Sequence, residues 1–349
     1  MCSVAPTAFA ARFLDLEPGD GQTSIRLIYS QQLENVSPSM RYVALSHCWG
    51  ASTKAPFRTT KANHDDNLKG IPLTALPRTF RDAIRVVKAI GVRFMWIDSL
   101  CIVQDDKDDW ADEAAKMADI YRGSYFTIAA TSSPNGDGGL FLESLTSATA
   151  VHIGGHGNTH TDATDATNTV PLTCFIRHPI ASRKAIWDAP LSQRAWVLQE
   201  QVLAPRLIHF TEHQMYYQCH LGLESEDGTI KDDSTTSLRG ASTMVVGEGE
   251  VDMGLRDLST PVHAVETWWT WVAEYSSRSL TFHTDRIAAV AGLVKHYQSS
   301  TGKVPLLGLW AETLWYDLAW QVNSDVRNQS ESTGRISAKC VKLPLLHGV

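Results

Sequence analysis

From residue 41 onward, short unbroken apolar runs alternate with segments whose apolar residues recur every third or fourth position. Runs of the first kind read as strands buried on both faces, and segments of the second kind as amphipathic helices. Tyr42-Val43-Ala44-Leu45-Ser46 is such a run, closed by His47-Cys48-Trp49-Gly50. Thr79 and Asp82 form a capping-box-like start. Phe80, Ala83, Ile84 and Val87 then follow at helical spacing, and Gly91 supplies the stop. Arg93 to Ile97 predicts a second buried strand that ends at Asp98. Trp110, Ala114, Met117 and Tyr121 mark one face of a helix over about 108–122, with a solvated acidic face opposite. Tyr125 to Ala130 predicts a third strand, bounded by a Ser/Pro/Asn/Gly turn. Strand, helix, strand, helix, strand is the order of an α/β fold with a mostly parallel sheet and flanking helices.

The remaining chain is less regular. Before residue 41 there is one plausible strand, Ser24 to Tyr29, in an N-terminal extension of residues 1–40. Residues 134–182 are rich in Gly, Thr, Ala and Asp, with an apolar break at Val170–Ile176, and read as an insertion, partly loop and partly hairpin. Order returns with a helix over Leu191–Leu203, stopped by Pro205, and a strand pair, Leu207–Phe210 and Gln214–Cys219. The main domain is therefore placed at 41–225, followed by a polar linker or loop at 226–262 and a C-terminal helical region at 263–349. Six of the eleven tryptophans (Trp268, Trp269, Trp271, Trp310, Trp315 and Trp320) fall in that last region, where they predict helices anchored on the sheet domain by aromatic packing.

Composition narrows the classes. Hydrophobic residues make up 43% and charged residues 20%, as in a folded globular chain. The net charge of −7 and the absence of a basic block speak against nucleic acid or an anionic membrane surface as partner. No apolar run approaches the roughly 20 residues that span a bilayer. Met1 to Leu14 lacks a basic leader and is interrupted by Arg12, so no signal peptide is read, and the six scattered cysteines fit reduced thiols in the cytoplasm.

Candidate chemistry gathers at the strand ends, because ligands of open parallel sheets bind outside the carboxyl ends of the strands. Ser46, Asp98 and the Thr131-Ser132-Ser133 turn occupy those positions. On the later helix, Trp196 and Glu200 lie one turn apart on one face. A carboxylate beside an indole either sits in an apolar pocket that raises its pKa, or is an exposed helical glutamate next to a core tryptophan. Cys48 and Cys101 follow strand ends and are either nucleophiles, paired with His47 or His209, or buried small hydrophobes. His152, His156 and His160 recur every fourth residue, but in a Gly/Thr-rich stretch that no helix would organise, so no metal site is read.

Three of these blocks together resemble a known family. Tyr42 to Gly50, then Thr79-Phe80-Arg81-Asp82-Ala83-Ile84 with Phe94 to Gln104, then Arg194-Ala195-Trp196-Val197-Leu198-Gln199-Glu200, are similar in order and spacing to the fungal heterokaryon-incompatibility (HET) domain. Leu280 to Arg286 and Gly308-Leu309-Trp310 look like the helical region that commonly follows it. Two departures are His47, where an aromatic Tyr is usual, and an end at Val349 ahead of a terminal region that many relatives carry.

The resemblance implies a cytoplasmic protein of fungal non-self recognition and programmed cell death, with a sheet of the Toll/interleukin-receptor (TIR) or flavodoxin type. TIR domains are remote relatives, and several cleave NAD. Ser46 resembles the end of the first TIR strand, and Trp196, Leu198 and Glu200 resemble the TIR pattern whose glutamate is catalytic. By that comparison Glu200 is the catalytic residue, and Ser46, Trp49, Asp98, Arg194 and Trp196 line the substrate site. NAD is then a substrate, and no cofactor is implied. Self-association, and a signalling partner such as a NOD-like receptor, are the partners the family suggests. Two other functions fit the same residues: a non-catalytic signalling module, and a HET-like enzyme recruited to small-molecule chemistry.

Overall fold

The computed structural model describes residues 10–19, 23–33, 40–50, 57–141, 149–153, 172–176, 184–219, 222–232, 261–306, 308–318, 321–322 and 340–341. The chain begins with strands β1 (Arg12–Asp15), β2 (Ser24–Tyr29) and β3 (Tyr42–Ser46). Helix α1 (His64–Lys69), β4 (Ile71–Pro72), α2 (Arg78–Ala89), β5 (Phe94–Ile97), the single turn α3 (Asp98–Cys101), α4 (Lys107–Gly123) and β6 (Phe126–Ala129) follow. After β7 (Thr149–Ile153) and β8 (Leu172–Ile176) come α5 (Lys184–Trp187), α6 (Ala195–Leu203), β9 (Arg206–Phe210), β10 (Met215–Cys219), β11 (Gly222–Ser225) and β12 (Lys231–Asp232). The C-terminal region supplies α7 (Pro261–Ser277), α8 (Ala288–Thr301) and α9 (Leu314–Asp317).

Ten strands form one sheet in the order β12-β11-β10-β9-β6-β3-β5-β1-β2-β4. Its centre is parallel: β3 lies between β5 (Tyr42 opposite Phe94) and β6 (Val43 opposite Phe126), and β6 continues to β9. The three apolar runs at 42–46, 94–97 and 126–129 are thus neighbouring parallel strands, as their patterns predict, and β3, β5 and β6 are buried throughout. The sheet as a whole is mixed rather than mostly parallel. An antiparallel arm, β10 to β12, extends from β9. A second, β1, β2 and β4, extends from β5. Strand β1 escapes sequence reading because only Phe13 and Leu14 are apolar. Its charged ends are buried in ion pairs, Arg12 with Asp109 and Asp15 with Arg93.

Two local expectations are corrected. Thr79 and Asp82 do not cap α2, whose N-cap is Pro77. Instead Thr79 Oγ1 donates to the Asn135 carbonyl (3.3 Å) and accepts from Gly139 N–H (3.0 Å), while Asp82 Oδ2 accepts from Leu140 N–H (3.0 Å). The pair fastens the loop after β6 onto the helix. The acidic face of α4 is likewise not all solvated. Glu113 is buried against Ala11 N–H and Lys116, and Asp119 against Arg122 and Lys295.

Helix α6 is the hinge of the packing. One side meets the sheet through Val197 with Cys48, Ala129 and Leu207. The other side, Leu198, Val202 and Leu203, meets Trp268, Trp271, Leu293, Tyr297 and Trp310 of the C-terminal region. Three of the six tryptophans are therefore core anchors, as expected, and Trp269 is half-buried with its Nε1 donating to Asp317 (3.0 Å). The side chain of Trp315, and all of Trp320, lie outside the described residues. Close approach of α8 depends on Gly292, where a Cβ would stand 2.5 Å from Ala118 Cβ and from Gln199 Oε1. Within the insertion, β7 and β8 pair as an antiparallel hairpin. His156, His160 and most of the remaining insertion and linker lie outside the described residues.

Candidate functional site

Parallel pairing sets the ends of β3 and β5 side by side, so Ser46 and Asp98 arrive together at the carboxyl edge of the sheet. Asp98 opens α3. Its Oδ1 accepts from Ser99 N–H (2.7 Å) and its Oδ2 from the Trp49 indole (2.9 Å). His47 Nδ1 lies 3.5 Å from Asp98 Oδ1. Its ring meets Phe80 edge to face at 4.9 Å between centroids. Burial depresses the His47 pKa to about 4, opposed by Asp98 and assisted by Arg194, so the imidazole is neutral at physiological pH.

Arg194 is the N-cap of α6 and reaches across to donate to the His47 carbonyl. One and a half turns further along, Glu200 is 3% exposed. Of the two alternatives for this glutamate, the exposed one is excluded, because α6 is enclosed by the sheet on one side and the C-terminal helices on the other. Burial raises its pKa to about 7, against the Arg194 charge and the Ser46 hydroxyl; Asp98 adds to the rise, and the Tyr121 hydroxyl opposes it. Glu200, Ser46, Asp98, Arg194 and Tyr121 therefore share one electrostatic neighbourhood, built from the end of β3, the start of α3 after β5, α4 and α6 with its N-cap. Ser46 is fully buried there, its hydroxyl near enough to the Glu200 carboxyl to favour the charged form. Tyr121 is pushed well above 10 by burial and by the Glu200 and Asp98 carboxylates, and stays a phenol.

The contacts of Trp196, which is half-buried, are with Asp285 and Trp110. Its indole Nε1 donates to Asp285 (3.3 Å) and its ring packs edge to face on Trp110 at 6.2 Å. The polar turn after β6 is consumed by the fold: Thr131 bonds His209, Ser132 accepts from Glu212 N–H, and Ser133 donates to the Gly139 carbonyl. Cys48 and Cys101 are buried thiols, pushed by burial to about 11 and about 12, which does not suit nucleophiles. Among the described residues no three His, Cys, Asp or Glu converge on a metal position. Tyr121 was legible only as a core residue of α4, because periodicity reports the ring and not where its hydroxyl points. Arg278 was missed altogether. It follows α7, its side chain is 3% exposed, and it donates to the Arg194 carbonyl (3.5 Å) and to Gln201 Oε1 (3.2 Å).

These features define an α/β protein with a closed acid–base cluster at the carboxyl edge of its parallel strands. No helix among the described residues is long and apolar enough to cross a membrane. Residues 42–200, a little under half of the chain, match the family model of the heterokaryon incompatibility protein (HET), and that segment is a HET domain. The three motif blocks fall inside that span, as do the cluster residues Ser46, Asp98, Tyr121, Arg194 and Glu200. The chain is also similar to heterokaryon incompatibility protein 6, OR allele, of Neurospora crassa, at 30% identity over 125 residues. That stretch is 34% of this chain and 18% of the relative, so the likeness spans less than a fifth of the relative's length. No solved structure matches the chain.

Proposed function

We propose that this HET-domain protein acts in fungal non-self recognition, and that its output is cleavage of NAD at the nicotinamide–ribose bond, leading to cell death. The observation that carries the reading is Glu200: a fully buried carboxyl, poised near neutrality, beside Arg194, Ser46, Asp98 and Tyr121. Breaking the bond releases nicotinamide with its electron pair and leaves an oxocarbenium-like ribose, which water captures to give ADP-ribose and a proton. An ionised Glu200 stabilises that cation, and Ser46 and Asp98 hold ribose hydroxyls. Arg194 supplies positive charge for the pyrophosphate, and the Trp49 indole walls the nicotinamide.

At 3% exposure the carboxylate is closed to a dinucleotide, so this reading requires the cluster to open. Association with further copies, or with a signalling partner, is the proposed trigger. The same closure favours a second reading, in which the cluster is structural and the domain signals by binding alone. Nicotinamide release from NAD, measured against protein concentration for wild type and Glu200→Gln, separates the two. Release that rises faster than linearly in the wild type and is lost in the variant supports cleavage. Equal release from both proteins excludes Glu200, and no release at any concentration favours the binding module.

A further inference from the structure

The amino-terminal edge of the parallel strands, opposite the Glu200 cluster, carries a second concavity. Helix α2 covers one face of the central strands and ends at Ala89, whereas the sheet continues into the β9–β10 arm. The gap left beyond the helix end is a cleft of about 690 Å³. Its apolar wall includes Val86 and Ile90 from the helix end, Phe126 and Ile208 from the sheet. That volume lies within the range of about 300–1,000 Å³ typical of small-molecule sites.

Arg41, Arg93 and Arg206 are the charged residues in its lining. Arg93 is neutralised by Asp15, with bonds of 2.7 and 2.9 Å. Arg41 and Arg206 have no carboxylate partner among the described residues. Both are held over the ring of Tyr125, with guanidinium carbons 4.9 and 5.5 Å from its centroid. Arg206 is further fixed by donating to the Tyr125 carbonyl (2.9 Å). Tyr125 and Tyr217 remain 39% exposed at the mouth, and Ile90 49%. In a chain of net charge −7, two unpaired guanidiniums beside an apolar trough are a local inversion of the surface.

We propose that this cleft binds a small amphipathic organic anion, its apolar body against Val86, Ile90, Phe126 and Ile208 and its carboxylate or phosphate on Arg41 and Arg206. Guanidinium groups bind such anions through paired, charge-assisted hydrogen bonds, and ring stacking holds both arginines in place before the ligand arrives. The proposal is independent of any reaction at Glu200.

The test is saturable binding of the fluorescent probe anilinonaphthalene sulfonate to the full chain, with dodecanoate, its methyl ester and tetraglutamate as competitors. Arg41 is exposed and Arg206 half-buried, so Arg41→Gln with Arg206→Gln should leave the thermal midpoint nearly unchanged. Probe affinity should fall at least tenfold in that double variant. Dodecanoate should displace the probe while its ester fails. In a second variant, Ile90→Trp should fill the trough and weaken the probe while keeping both charges. Equal affinity in wild type and the double variant overturns the proposal. Displacement by tetraglutamate with none by dodecanoate also overturns it, and would make the cleft a docking surface for an acidic protein.

Discussion

Replacing Glu200 by Gln should alter the pH dependence of folding far more than the fold itself. Burial holds the native carboxyl at about 7, against an ordinary value of 4.5 that the unfolded chain recovers. Below pH 4.5 both states carry the proton, and the group imposes no penalty. Between those values the unfolded chain releases its proton while the native chain keeps it, so stability falls as pH rises. Once the native group is also ionised, above about 7, the loss is complete. At about 1.4 kcal/mol per tenfold in the proton equilibrium, the whole loss is about 3 kcal/mol. Most of it, about 2–3 kcal/mol, falls between roughly pH 5 and pH 8.

The amide of Glu200→Gln copies the size and neutrality of the protonated acid and does not titrate. Near pH 5 the two proteins should therefore differ by only about 1 kcal/mol, the worth of one rearranged hydrogen bond. Near pH 8 the variant should be the more stable by about 2–3 kcal/mol relative to its standing at low pH. The buried imidazoles of His47 and His209, depressed by burial to about 4, also make stability depend on pH. They do so in both proteins, so the difference between wild type and variant isolates Glu200. Urea unfolding followed by tryptophan fluorescence at both pH values measures that difference, provided the denaturant slopes agree. Parallel pH profiles for the two proteins would refute the buried, neutralised carboxyl and with it the cluster as drawn.

Three further outcomes follow from the packing. Gly292→Ala should cost about 1–3 kcal/mol in urea unfolding, because its methyl enters the space of Ala118 and Gln199, and a wild-type midpoint would show that α8 is less tightly seated. Although burial disfavours its charge, the bonds from Arg93 and Glu17 N–H hold Asp15 below its usual 3.8. Asp15→Asn should therefore cost about 2 kcal/mol at neutral pH, and the gap should shrink as pH falls toward the Asp15 pKa; a gap independent of pH in unfolding titrations would contradict the ion pair. Cys48 and Cys101 should resist iodoacetamide in the native protein and react on unfolding, as read by peptide mass spectrometry; rapid native labelling of either would show the thiols to be accessible and ionisable.

What the sequence made legible divides along a physical line. The central strands could be read because a strand buried on both faces must be apolar at every position, and Val43-Ala44-Leu45 and Phe94-Met95-Trp96-Ile97 are. Strand β1 could not, because its burial is achieved by pairing Arg12 and Asp15 with partners roughly eighty to a hundred residues away. Thr79 and Asp82 show the same limit. Their spacing fits a helix cap, yet their bonds go to the loop at 135–140, a contact that no local pattern encodes. At the site, strand-end logic placed Ser46 and Asp98, and the shared motif placed Arg194 and Glu200. The position of Trp196 on the same helix said nothing about its indole, which turns toward Asp285 and Trp110.

The family match ends at Glu200, but the groups that enclose this glutamate do not. Ala195 N–H donates to the Ser279 carbonyl (2.9 Å) and Ser279 N–H to the Gln193 carbonyl (2.7 Å), so the backbone on both sides of Arg194 is held by the segment after α7. Arg278, paired with Glu274 at 3.6 Å, adds its bonds to Gln201 and the Arg194 carbonyl. Leu198 and Val202 on the flanks of Glu200 complete their burial against Trp268, Trp271 and Leu293. Desolvation is the largest cause of the raised Glu200 pKa, and the Arg194 charge is the largest force opposing it. The first depends on packing from beyond residue 260, and the second on a backbone anchored there. The segment that matches the HET family therefore brings the glutamate to the strand edge, while the C-terminal helices add to the packing that desolvates it and hold the backbone of the arginine that opposes its neutralisation.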